Sequence, residues 1–126
     1  MRILVTGSRE WTDSAFVRRV LELAPQLYSQ HVLVHGDCPK GLDRMAASIA
    51  SSLGMRVEAH PAQWSVHGRA AGHIRNQAMV DTRPDLTLAF MCDGSRGTAD
   101  CVRRLQAAHI RTLVCTAPRF GTAREP

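Results

Sequence analysis

Short apolar runs alternate with longer amphipathic stretches along this chain. Arg2–Thr6 (RILVT), Val32–Val34, Arg56–Ala59, Asp85–Phe90 and Thr112–Cys115 have the length and aliphatic content of strands. Between them, apolar positions return at helical spacing. A first helix is predicted from Ser14 to Tyr28, capped by Thr12 or Asp13, with Phe16, Val17, Val20, Leu23, Ala24 and Leu27 as its apolar stripe. Pro25 kinks or ends it. A second helix covers Leu42–Leu53 and stops at Gly54, and a third covers Ile74–Thr82, closing before Pro84. A fourth covers Thr98–Ala108, and Pro61–Gly72 reads as a loop. No internal repeat or low-complexity tract interrupts this alternation.

Strands alternating with helices imply an α/β domain whose mainly parallel sheet carries helices on both faces. Right-handed crossovers then bring the loops that follow the strands to one edge of the sheet. Thr6–Arg9, His35–Gly41 and Cys92–Thr98 all fall there, where α/β sheets bind ligands. Residues 1–115 form one domain in this reading. Residues 116–126, polar and holding two prolines, form a mobile tail.

Composition narrows the class. A chain of 126 residues supports one core, and no apolar run approaches the ~20 residues that span a bilayer. The start, MRILVTGSRE, passes straight into a strand-like run, so it does not read as a signal peptide. A cytoplasmic protein without a membrane partner is expected. Cys38, Cys92, Cys101 and Cys115 show neither a CxxC pair nor paired spacing with histidine, so neither a metal site nor a disulfide framework is expected. No other cofactor is implied. The net charge of +5 rests almost wholly on arginine, Lys40 being the only lysine. Arginine grips phosphate through a planar fork, so an anionic small molecule is the expected partner. The charge is spread along the chain and forms no basic run, which argues against nucleic acid.

The motifs that carry chemistry sit at the predicted sheet edge. In Ala89–Asp100 (AFMCDGSRGTAD) a strand ends in a Gly-rich turn that opens into a helix. Gly94 and Gly97 let backbone amides approach a phosphate, while Ser95 and Thr98 offer hydroxyls; Arg96 either clamps the phosphate or points to solvent. The bland alternative is a tight turn capped by Thr98. In HGDCPKGLD, Gly36 and Gly41 flank a second turn that is not a Walker loop. Asp37 there either bonds a ribose hydroxyl or stabilises the turn, Asp43 reads as an acid of the first helical turn, and His35 as a structural histidine. Gly7, Ser8 and Arg9 follow the first strand and would close around phosphate or base. Trp11 and Trp64 either stack on a base or pack into the fold. Arg75 and Asn76 open the predicted third helix, where a cation opposes the helix dipole unless an anion lies nearby.

TGSREW, HGDCPKGLDRMA, PAQW, AGHIRNQAM and SRGTADC, in this order across residues 1–115, resemble the YspA-like branch of the SLOG superfamily. That superfamily includes the Lonely-guy phosphoribohydrolases and the DNA-processing protein DprA. The resemblance implies a Rossmann-like three-layer domain, a nucleotide or nucleotide-derived ligand, and a homodimer. Lonely-guy enzymes cleave the N-glycosidic bond of a nucleoside monophosphate. Their PGGxGTxxE motif aligns with Asp93–Cys101, keeping Gly94, Gly97 and Thr98 for phosphate. Their Arg-Lys-x-x-Met stretch aligns with Arg75–Met79, giving Arg75 a catalytic or phosphate-gripping role. Their glutamate falls on Cys101, and a thiol does not replace a carboxylate at an oxocarbenium-like centre.

Two readings of the site follow: an N-glycosidase with Arg75 as clamp and Asp100 or Asp37 as carboxylate, or a sensor that binds a nucleotide signal without cleaving it. A third, single-stranded DNA binding, lacks the aromatic residues that stack bases.

Overall fold

All five apolar runs enter one sheet, as β1 (Arg2–Gly7), β2 (Val32–His35), β3 (Arg56–Ala59), β4 (Leu86–Cys92) and β5 (Thr112–Ala117). Their order is β3-β2-β1-β4-β5 and every pairing is parallel, with Ile3 opposite both Leu33 and Leu86. Parallel neighbours need crossovers, and helices supply them: α1 (Ser14–Glu22), α2 (Leu42–Leu53), α3 (Trp64–His67), α4 (Ala71–Asp81) and α5 (Arg96–Ala107). The computed structural model describes residues 1–25, 27–92 and 94–117.

The period-two alternation of strand side chains divides the interior into two cores. Ile3 and Val5 of β1 pack with Val17, Leu21, Leu42, Ala46 and Ile49 of α1 and α2. Leu4, between them, points the other way and meets Met79, Val80, Cys101 and Leu105 of α4 and α5. With both faces covered, the middle of β1 has no solvent side, so Ile3, Leu4 and Val5 are all apolar. The result is the expected Rossmann-like three-layer α/β architecture. Trp11 packs edge-on against Phe90, with ring centroids 5.3 Å apart, and is buried beneath the β1–α1 loop.

The element boundaries differ from the sequence expectation, most of all in these places. Helix α1 ends at Glu22, before Pro25, and leaves Leu23 and Leu27 exposed at 81% and 68%; its core residues are Val17 and Leu21. Proline lacks an amide donor and clashes with the preceding turn, so the chain leaves the helix and re-forms only as a 3₁₀ turn, Tyr28–Gln30. The predicted loop Pro61–Gly72 is helical from Trp64: α3 ends at Gly68, whose φ of +58° suits glycine, and a 3₁₀ turn leads into α4. Gly72 lies inside α4 and marks no boundary. Helix α5 starts at Arg96, two residues before the predicted start, with Ser95 and not Thr98 in the capping position. Finally, β5 reaches Ala117, taking in two residues assigned to the tail; 118–126 lie outside the described residues.

Candidate functional site

In this strand order the chain runs outward from β1 in both directions, so the loops after β1 and β4 diverge to opposite faces. A crevice forms where they part. A cavity of about 280 Å³ occupies that point, walled by the ends of β1 (Val5–Glu10), the β2–α2 loop (Gly36, Cys38), Asp43, the α4 residues Arg75, Asn76 and Met79, and the turn Gly94–Thr98.

Two close approaches build the β1 side of this wall. The Ser8 amide donates to the Phe90 carbonyl (3.0 Å), and the Ser8 carbonyl accepts from Leu42 at the start of α2 (3.2 Å). Gly41 reaches this junction with φ +84°, and a Cβ there would lie 2.6 Å from the Ser8 oxygen and against the Arg9 Cα. Only glycine fits both the angle and the space.

Across the cavity stands the N-terminus of α5. Its first amides have no partner within the helix, and no side chain caps them: the Ser95 hydroxyl donates instead to the Cys92 carbonyl (2.8 Å). A Cβ on Gly97 would meet nothing within 4 Å, so the backbone is open to an approaching group. Thr98 is buried at the third position of the helix and lines the cavity. Aligned free amides at a helix start favour an anion.

Arg75 closes the third side. It is the fifth residue of α4 and not at the helix start, so the dipole argument made for it does not apply. Tertiary contacts hold it instead. Its Nη1 donates to the Gly36 carbonyl and its Nε to Asn76 Oδ1 (3.0 Å). The Asn76 amide donates in turn to the Gly97 carbonyl (3.2 Å) and to Asp100 Oδ2 (3.1 Å). Asn76 thereby ties the cation to the phosphate-type turn.

The carboxylates are arranged differently from the sequence expectation. Asp100 is buried in the seam between α4 and α5, outside the cavity lining, where Arg104 Nε (2.9 Å), Asn76 and His73 (3.2 Å) surround it. Burial alone would raise its carboxyl, but those partners outweigh burial and hold it at about 2. Asp37 is exposed at φ +58°, its amide bonded to His35 Nδ1 (2.9 Å), and is likewise outside the lining. Cys101 is fully buried in the core, and burial pushes its thiol up to about 11, so it remains protonated at neutral pH.

Two carboxylates line the cavity: Glu10, exposed at its rim, and Asp43, only 5% exposed, in its wall. Burial raises the Asp43 pKa, partly offset by the Cys38 amide that donates to Oδ2 (3.2 Å), by His35 and by Arg75. Asp43 lies in the first turn of α2, as the sequence reading had it; its burial follows from the helical stripe it shares with Ala46 and Ala50. His35, 4% exposed, has its pKa lowered by burial and hydrogen-bonds within its own loop. Cys38 also lines the cavity, and burial raises its thiol pKa.

A three-layer parallel α/β domain with an anion-type cavity at the strand switch point is the class these features define. The model of YAcAr, the YspA, cpYpsA-related SLOG family, matches residues 1–67, and the chain belongs to that family. It is also similar to the Gene 61 protein of Mycobacterium phage D29, with 41% identity over 121 residues, covering 89% of this chain and 94% of that protein. No solved structure matches it. Among the described residues, no helix is long and apolar enough to cross a membrane.

Proposed function

We propose that the switch-point cavity binds a nucleotide-derived phosphorylated ligand. The phosphate lies on the first amides of α5 and against Arg75, and the sugar extends toward Gly36 and Asp43. The observation that carries this reading is the convergence of an uncapped helix start and a tethered arginine on one cavity. The test is calorimetry and mass spectrometry of the protein with nucleoside monophosphates, ADP-ribose and NAD. Arg75→Ala removes a charge-assisted contact, so affinity should fall roughly tenfold to hundredfold. Unchanged affinity in that variant would remove the site assignment.

Cleavage of the ligand is favoured by one further observation, the buried Asp43 carboxyl in the cavity wall. In this reading the C1′–N bond breaks with its electron pair leaving on the base, which takes up a proton. Water adds to C1′ while the Asp43 carboxylate stabilises the positive sugar carbon. Asp43 thus takes the role that the sequence offered to Asp100 or Asp37. Asp43→Asn should abolish release of free base while keeping ligand binding. Full turnover in that variant would dismiss Asp43 as the carboxylate, and intact nucleotides after incubation with wild type would leave a sensor.

A further inference from the structure

Arg75 is a wall of two cavities. On the side away from α5, a second cavity of about 320 Å³ opens at the carboxyl end of β3, between the segment Ala59–Gln63, His67 and α4. Its α4 wall is Ala71, Ile74 and Ala78, successive positions on one face of the helix, with Pro61 opposite. Ile74 is 44% exposed there, an apolar residue on a surface its neighbours do not cover. The polar groups at this cavity are His60, Gln63, His67 and Arg75. His60 Nε2 is engaged with Glu58 (2.7 Å), whereas the Gln63 side chain enters no hydrogen bond among the described residues.

The first cavity, at about 280 Å³, lies just below the ~300–1,000 Å³ typical of small-molecule sites. A sugar phosphate suits that space, and a larger ligand has room to continue past Arg75. Arg75 marks the direction, because among the described residues it alone lines both cavities. The second cavity offers apolar walls for a ring and a carboxamide that both donates and accepts for its edge.

We propose that this second cavity is the nucleobase subsite of the same ligand, with Ile74, Ala78 and Pro61 covering the ring and Gln63 reading its edge. This rests on the phosphate-site reading given above. It makes the ligand bipartite: the phosphate is held on the α5 side of Arg75 and the base on the β3 side.

The test compares ribose 5-phosphate with the four common nucleoside monophosphates by calorimetry. Wild type should bind at least one monophosphate about tenfold tighter than ribose 5-phosphate. Ala78→Trp, which fills the groove from an exposed helical position, should remove that advantage and leave ribose 5-phosphate affinity unchanged. Gln63→Ala should remove about fivefold of it. Retained ribose 5-phosphate binding reports that each variant is folded. Monophosphate affinity unchanged in both variants would overturn the subsite, as would a wild type that binds ribose 5-phosphate and no monophosphate more tightly. Failure of wild type to bind any of the five compounds would overturn the phosphate-site reading, and the subsite with it.

Discussion

Asp100 shows how one buried carboxylate ties residues of two helices together. It accepts from Asn76, whose carbonyl oxygen receives Arg75, and from Arg104 one turn further along α5. The pKa of its carboxyl is depressed in the fold, so its stabilising contribution is present above the ordinary carboxylate value of 3.8. That contribution is lost as pH falls from there toward about 2. Asp100→Asn should therefore lower stability by about 1–2 kcal/mol at neutral pH. It should also flatten the decline in urea midpoint between those two values. A wild-type decline reproduced in the variant would place the acid-sensitive group elsewhere. Asp100 was legible as a polar residue beside the Gly-rich turn, but not its direction, because one residue of rotation separates the cavity from the helix seam.

Among the elements, the β2–α2 loop packs closely against Arg75. A Cβ on Gly36 would lie 2.6 Å from Arg75 Nη1, 2.9 Å from its Cζ and 3.1 Å from Asp43 Oδ2. The nearest of these atoms end a flexible side chain, so the fold can absorb the methyl group by displacing Arg75. Gly36→Ala should cost about tenfold in ligand affinity with a melting temperature close to wild type. Wild-type affinity in the variant would mean that the position of Arg75 is not critical. Helix identity was readable from spacing in α2 and α5, where apolar residues hold one face. It failed before α4, where Gly68 and Gly72 carry the same loop signal although only Gly68 ends a helical turn.

At the scale of the whole molecule, the positive charge is open to two uses, small anions and nucleic acid. The chain carries a net +5, yet Trp11, Phe16 and Phe90 pack against each other in the interior, which leaves Trp64, 53% exposed, as an isolated stacking surface. Anisotropy of a labelled single-stranded oligonucleotide should accordingly show no saturable binding near 0.1 M salt. Tight binding that weakens steeply with added salt would instead establish nucleic acid as a partner.

The sequence by itself determined the alternation of strands and helices, the parallel sheet covered on both faces, and the three strand-end loops that share an edge. Those follow from local hydrophobic periodicity and from the handedness of crossovers, which act the same way in any such chain. Only the tertiary structure decided which aspartate lines the cavity. Asp43, Asp37 and Asp100 all lie in or beside the Gly-rich motifs, and their roles part according to helix rotation and burial. Likewise, only the fold brought Arg75 to Gly36, a contact across 39 positions of sequence that no local pattern encodes.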